Sequence, residues 1–181
     1  MHSITKTLFG AFLALFLGLA SAALTPAQVG SLKAACIADI AVCKPLHDAA
    51  DDTGLANYFN ADTVTYIVWR TSVSRTDVMR DAAFDWTRVD NLTVGKSRIW
   101  DMMFQDGPIN PGNANVRAGI DAAWVGTAAD LAVRAAVYAV CKRSANRAER
   151  VLASGAGISG SPSLLTFTGA ISVGEASTIR S

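Results

Sequence analysis

The tripeptide Gly95-Lys96-Ser97 is the part of this sequence closest to a known chemical motif. It matches the end of a phosphate-binding P-loop, in which a lysine and a hydroxyl group contact the phosphates of a nucleotide. The complete motif also requires a glycine five positions before Gly95, where this chain has Asp90. The tripeptide lies inside a predicted helix and follows no strand. We therefore expect no nucleotide binding there.

Two groups of side chains could be considered as metal ligands. Cys43 and His47 have a helical spacing, but two ligands do not make a zinc site, and Pro45 between them interrupts the helix. Asp48, Asp51 and Asp52 follow closely. This segment lacks the alternating oxygen ligands and the distal glutamate of a calcium-binding EF-hand loop. We expect a solvated loop, with no metal ion and no cofactor.

Catalytic residues are equally hard to assemble from this sequence. The only histidines are His2 and His47, so a hydrolytic triad would have to use His47, and no nucleophile elbow accompanies it. Four aspartates recur near the centre of the chain, at positions Asp81, Asp85, Asp90 and Asp101. We expect them to be helix caps and surface carboxylates rather than an acid/base pair. The sequence thus predicts no catalytic, cofactor-binding or metal-binding residues, and a protein that is not an enzyme.

The three cysteines are Cys36, Cys43 and Cys141, and an odd number does not describe a disulfide framework. On one continuous helix, Cys36 and Cys43 would have Cα atoms about 10 Å apart, too far for a bridge. A bridge from Cys141 to either of them remains open in an oxidising compartment. We favour three buried thiols that pack as small apolar groups.

Residues 1–22 have the features of a signal peptide. Lys6 is followed by an apolar run from Leu8 to Ala20, and Ala20-Ser21-Ala22 fits the small-residue cleavage pattern. The run is shorter than the roughly 20 apolar residues of a membrane span. The alternative is a start codon assigned too far upstream. If the leader is real and uncleaved, we expect membrane contact through residues 1–22 alone.

The charges after the leader are balanced. Lys6 is one of the 16 lysines and arginines, which leaves 15 basic residues against 15 acidic ones. A neutral body has no overall electrostatic attraction for nucleic acid or an anionic membrane. The exception is a basic cluster, which comprises Lys142, Arg143, Arg147 and Arg150. We interpret it as a solvated helix end, and a contact to an acidic partner is the alternative.

Hydrophobic periodicity and capping signals predict a mainly α-helical, single compact domain over residues 24–171 with a small two-stranded β element. Thr25-Pro26-Ala27-Gln28 is a capping box with proline at the first helical position. The predicted helices span residues 25–44, 74–86, 90–103, 110–125 and 127–154. The predicted strands are 64–69 and 164–167, pairing with each other. Residues 47–62 are predicted to be a polar connection, 155–163 a flexible loop and 172–181 a flexible tail.

The stretch 74–105 is the predicted centre of the fold, with Ser74 and Asp90 as helix N-caps. The inner face of its first helix would carry Val78, Met79, Ala82 and Trp86. The inner face of its second helix would carry Leu92, Gly95, Ile99, Met102 and Met103. We predict that Trp86, Trp100 and Trp124 are buried.

Several segments resemble a family of small proteins encoded by tailed bacteriophages and prophages. They are VWRTSVS (68–74), VDNLTVGKSRIW (89–100), ANVRAGIDAAW (114–124), RAERVLASG (147–155), SP (161–162) and FTGAIS (167–172). The resemblance covers residues 24–175 and carries no catalytic motif, so it transfers no functional residues. Those relatives begin near the equivalent of Leu24 and have no leader.

The resemblance implies a non-enzymatic virion-structural or morphogenesis protein of the head–tail or tail region. Its expected partners are other phage structural proteins or further copies of itself, and its expected location is the virion. The leader keeps an alternative open: an exported helical protein, periplasmic or anchored in the inner membrane, that binds a partner or a small ligand.

Overall fold

The computed structural model describes residues 23–181, and the leader predicted at residues 1–22 lies outside them. The prediction of a mainly α-helical fold with a small two-stranded β element is confirmed. The elements in chain order are α1 (Pro26–Ala38), α2 (Cys43–Asp48), α3 (Asp52–Asn60), β1 (Asp62–Trp69), α4 (Arg75–Met79), a 3-10 turn (Trp86–Arg88), α5 (Val94–Met103), α6 (Ala114–Ala123), α7 (Ala128–Val140), β2 (Lys142–Asn146), α8 (Arg147–Leu152) and α9 (Val173–Arg180).

Capping boxes place the helix starts where the sequence predicted them. The Thr25 hydroxyl accepts a hydrogen bond from the Gln28 N–H, and the Gln28 side chain accepts one from the Thr25 N–H. Ser74 and Asp77 make the same reciprocal pair at α4. Each box satisfies two N–H groups that a helix leaves unpaired at its N-terminus.

The first helix is shorter than predicted, and this changes the cysteine chemistry. It ends at Ala38, and the chain turns before α2 begins. The turn brings the Cα atoms of Cys36 and Cys43 to 5.0 Å, and the two residues form a disulfide bond. The prediction of three free thiols was wrong because it assumed one helix through both residues. Cys141 is free and buried, and burial raises the pKa of its thiol to about 11, which makes it unreactive.

The predicted strand at 64–69 is confirmed as part of β1, but its predicted partner is wrong. β1 pairs antiparallel with β2, so that Trp69 lies opposite Lys142. Residues 164–167 form no strand. Their region meets β1 through a single parallel bridge between Val68 and Ser163. The predicted proximity is therefore correct, whereas the sheet partner comes from a segment predicted to be helical.

The helix predicted over 127–154 is interrupted by β2, so a single long helix was a wrong prediction. α7 ends at Val140, and α8 begins after Asn146, which caps it in a capping box with Glu149. The Arg70 N–H donates to the Cys141 carbonyl at 2.9 Å, where the chain enters β2. Pairing with β1 overrides the local helical preference here, because strand formation depends on tertiary partners.

Two segments predicted to lack structure are helices that pack on each other. α3 lies within the predicted polar connection and buries Leu55 and Phe59. α9 occupies the predicted flexible tail and buries Ile179, while Arg180 Nε donates to Asp52 at 2.7 Å. Short helices gain most of their stability from tertiary packing. Neither helix could therefore be identified from its own few residues.

The loop over residues 155–163, which was predicted to be flexible, is fixed along the second edge of β1. The Ile67 N–H donates to the Gly157 carbonyl at 2.7 Å, and the Trp69 N–H donates to the Ser163 carbonyl at 3.0 Å. Gly157 has a φ of 68° and lies so close to the Tyr66 ring that a Cβ would overlap it. The loop thus covers a strand edge that would otherwise be open to pairing with another chain.

The buried side chains form two clusters. The first, which we call the central core, is built from residues 69–141 and includes Trp69, Val78, Trp100, Ile120, Trp124 and Val137. The second, the terminal core, combines residues 32–59 with residues 148–179 and includes Leu32, Leu55, Phe59, Ala148, Phe167 and Ile179. The two strands of the sheet connect these clusters.

Two of the three tryptophan predictions are confirmed. Trp100 is 2% exposed and Trp124 is fully buried, with ring centroids 5.3 Å apart. Trp86, however, is 50% exposed. α4 ends at Met79, so the helical face assumed for Trp86 does not extend to it. Trp86 instead begins a 3-10 turn, and its ring packs edge-on against Phe84 with centroids 5.5 Å apart.

The α7 capping box contains a buried carboxylate that should make stability depend on pH. Arg88 and the N–H and hydroxyl of Thr127 lower the pKa of Asp130 from 3.8 to about 2. A pKa that is lower in the folded chain stabilises the fold above about pH 4, and this contribution disappears as the pH falls towards 2. Arg88 Nη2 lies 2.7 Å from Asp130 Oδ1.

We therefore expect Arg88→Met to destabilise the protein at about pH 6 and to matter much less at about pH 2.5. Urea midpoints of wild type and variant at the two pH values measure this difference. Arg134→Met, which removes an exposed pair with Asp121, is the matched control and should have little effect at either pH. An Arg88→Met defect of equal size at both pH values would contradict the assignment.

Candidate functional site

Helix α5 exposes apolar side chains to solvent, including Met102, which the sequence predicted to lie on the inner face. Thr93 caps the helix rather than the predicted Asp90, and α5 turns Trp100 into the central core. With 3.6 residues per turn, this orientation directs Met102 and Val94 outwards. Met102 is 62% exposed and Val94 is 79% exposed. The predicted inner position of Met102 is wrong, because the larger Trp100 side chain takes the buried side.

Four exposed residues define what we call the α5 face: Val94, Arg98, Asp101 and Met102. Arg98 lies four residues from Val94, three from Asp101 and four from Met102, so the four share one side of the helix. Asp101 Oδ1 accepts a hydrogen bond from Arg75 Nη2 at 2.7 Å. Exposed apolar side chains flanked by charges are typical of surfaces that contact other proteins.

The α5 face forms one side of an open cleft of about 790 Å³. Val89, Leu92 and Phe104 supply its apolar walls, and Asp90 lies at its edge. The three apolar side chains are partly buried against the central core, so their positions are fixed by packing. The cleft extends the α5 face into a surface with an apolar floor and a charged rim.

The loop closed by the disulfide is a second exposed apolar feature. Ile40 and Val42 point to solvent at its tip. The Asp39 carboxylate holds the loop from within, since it accepts the N–H groups of Ala41 and Val42 and the Tyr58 hydroxyl at 2.7 Å. The hydrogen bond from Tyr58 is the main reason that the pKa of Asp39 is lowered. The loop therefore holds Ile40 and Val42 exposed to solvent on a backbone that these hydrogen bonds fix in place.

The structure accounts for the residues that were considered as metal ligands. Cys43 is in the disulfide, and His47 Nδ1 lies 3.2 Å from Asp48. Asp51 caps α3 by accepting the Gly54 N–H at 2.8 Å, and Asp52 pairs with Arg180. Within residues 23–181 no group of three or more histidine, cysteine, aspartate or glutamate side chains is placed to hold a metal ion.

Gly95-Lys96-Ser97 lies in the first turns of α5, as the sequence predicted. The Lys96 ammonium group donates to the backbone carbonyl of Val125, so it ties α5 to the end of α6. Its position is therefore explained by a structural contact.

Three of the four central aspartates make local or surface contacts, whereas Asp90 does not form the helix cap that was predicted for it. Asp81 accepts the Ala83 N–H, and Asp85 accepts the Thr87 N–H. Asp101 pairs with Arg75 on the α5 face.

The basic cluster is not a solvated helix end, because its first two residues belong to β2. Arg143 forms a bidentate ion pair with Glu149. Lys142 Nζ lies 5.4 Å from the centroid of the Trp69 ring. The other two cations lie over tyrosine rings, Arg147 over Tyr58 at 4.3 Å and Arg150 over Tyr66 at 5.8 Å. Each cation therefore has a partner in its own chain, which weakens the case for an acidic partner at this place.

Glu149 is a buried charged residue that the sequence did not single out as important. Its side chain is 2% exposed, and its oxygens lie 2.6 Å from Nη1 and Nη2 of Arg143. It also accepts the N–H groups of Asn146 and Gly169. Asn146 followed by Glu149 is a capping-box signal, and it would have shown that a new helix starts here. These partners make Glu149 a structural anchor between β2, α8 and the C-terminal segment.

Comparisons of the chain with protein-family models, with curated proteins and with solved structures found no match. In the described part of the chain, no helix is long and apolar enough to cross a bilayer.

Proposed function

We propose that this is a non-enzymatic virion-structural or morphogenesis protein of a tailed bacteriophage or prophage. It acts in the head–tail or tail region through contacts with other structural proteins and with copies of itself. The sequence segments that resemble small phage proteins suggest the setting. The α5 face is the observation that supports the mode of action.

The α5 face supports a contact function for a physical reason. Val94 and Met102 are mostly exposed, so packing in the core does not account for their apolar character. When a partner covers these side chains, each Å² of apolar surface removed from water contributes roughly 25 cal/mol of favourable free energy. The walls of the adjoining cleft are held by the central core, so the surface is already formed before a partner arrives.

A second candidate function is favoured by the disulfide between Cys36 and Cys43. Structural disulfides form and persist in oxidising compartments such as the bacterial periplasm. A chain exported by the leader would meet that condition. In this alternative the protein is a periplasmic or inner-membrane-anchored helical binding protein, and the apolar disulfide loop is its contact surface.

One experiment on the native host separates the two candidates. After induction of the phage, particles, periplasm, cytoplasm and membranes are separated, and the protein in each fraction is identified by intact mass. We expect the protein in purified particles, with translation starting downstream of Met1. Recovery in the periplasm with a new N-terminus at Ala23 or Leu24, and its absence from particles, would favour the exported protein instead.

The same samples test the disulfide, when free thiols are alkylated before and after reduction. In an exported protein, the alkylating reagent should modify only Cys141 after unfolding, and it should modify all three cysteines after reduction. The cytoplasmic precursor of a particle protein, sampled before lysis, should label at all three cysteines without reduction. A soluble cytoplasmic protein of full length, absent from particles, would contradict both candidates.

A further inference from the structure

The α5 face carries both signs of charge beside its apolar residues. Arg98 lies at its centre and is exposed, and it makes no salt bridge among residues 23–181. Asp101 lies one turn further along and is also exposed, with only the exposed Arg75 as its partner. The chain therefore places an unpaired cation and an accessible carboxylate three residues apart on one side of a helix.

This arrangement is self-complementary. In an antiparallel pair of α5 helices, with the two-fold axis between residues 98 and 101, Arg98 of one copy faces Asp101 of the partner subunit. The symmetry repeats the contact in the other direction, as in any interface between identical patches. In the same register Met102 lies opposite position 97 of the other helix, and Val94 lies opposite position 105, just beyond the helix end. The contact therefore extends past the charged pair at both ends and covers both apolar side chains.

We propose that the α5 face is the contact surface for a second copy of this chain, held by two reciprocal Arg98–Asp101 ion pairs. The proposal rests on the proposed function, of which it specifies one partner and one surface. A wholly acidic or wholly basic partner would satisfy only one of the two charges. A second copy satisfies both and covers Val94 and Met102 at the same time.

The size of the surface sets the expected strength of the contact. A helix of 10 residues is about 15 Å long, so two α5 helices alone bury less area than the roughly 800 Å² per partner of a standard stable interface. The cleft walls at Val89 and Leu92 add apolar area on one side. We therefore expect a weak dimer whose population rises with protein concentration.

The test uses the full chain, two charge-reversed variants and their mixture. Arg98→Asp has two aspartates at the paired positions, and Asp101→Lys has two cations, so each variant repels itself. Mixed together, the two variants restore opposite charges at both contacts. Sedimentation velocity over a range of concentrations measures the association, and circular dichroism checks that both variants are folded.

We expect wild type to dimerise, each variant alone to dissociate with a dissociation constant raised at least about tenfold, and the mixture to form a heterodimer. Wild type that stays monomeric at all concentrations overturns the proposal. Association that persists in both variants alone also overturns it, because the contact then lies elsewhere, for example in the leader. A dimer with this pattern in a protein absent from particles would instead reject the proposed function and keep the surface assignment.

Discussion

Replacing Trp100 with alanine is expected to lower the free energy of unfolding by about 3–5 kcal/mol, as is usual for a large aromatic removed from a core. Trp100 touches three other aromatic rings, with centroid distances of 5.0 Å to Phe104, 5.3 Å to Trp124 and 6.2 Å to Phe84. Its removal leaves a cavity at the centre of the central core, where the neighbouring rings are too rigid to fill the space.

Trp86→Ala is the matched control, because it removes the same side chain from a half-exposed position. We expect it to cost less than about 1 kcal/mol, in line with surface substitutions. Equilibrium unfolding in urea, followed by circular dichroism, measures both variants. Equal losses in the two variants would mean that Trp100 is not the anchor of the central core.

Arg143→Met is expected to lower the free energy of unfolding by about 3 kcal/mol, because it leaves the buried Glu149 carboxylate without its partner. The loss comes from Glu149, whose buried carboxylate would lose its cationic partner. The N–H groups of Asn146 and Gly169 remain as donors at 3.1 Å and 3.3 Å, but they do not neutralise the charge.

Two further variants test this explanation by the same urea unfolding. Arg75→Met breaks the ion pair between Arg75 and Asp101, which has a similar contact length of 2.7 Å but is exposed to solvent. We expect it to cost no more than about 1 kcal/mol. Adding Glu149→Gln to Arg143→Met removes the unpaired charge and should recover part of the lost stability. If the double variant is less stable than Arg143→Met by the full cost of a second defect, the two residues act independently and the explanation is wrong.

Local signals predicted the parts of the fold that depend on neighbouring residues. The capping boxes at Thr25 and Ser74 need only a side chain three residues away, and both formed as predicted. The strand β1 was likewise predicted by its own β-branched and aromatic residues. The sequence could not predict β2, because its strand state depends on a partner 82 residues away.

The candidate site was missed for a similar reason. The α5 sequence offers two apolar sides, one with Trp100 and one with Val94 and Met102, and periodicity alone does not decide between them. The disulfide was missed because it requires the turn after Ala38, and no proline or glycine marks that turn. Packing in the central core decides which side of α5 is buried, and the Tyr58–Asp39 hydrogen bond, between residues 19 positions apart, helps to hold the turn.

The division into two cores has a consequence for synthesis of the protein. The central core uses one continuous stretch, residues 69–141, so it can assemble on the ribosome once that stretch has emerged. The terminal core must wait, because α1 and α3 pack against α8 and α9 at the other end of the chain. Until translation finishes, Leu32, Leu55 and Phe59 stay uncovered and accessible to chaperones and proteases. A prematurely ended chain would therefore keep a folded middle and a permanently exposed apolar N-terminal segment, by which the cell can recognise it as incomplete.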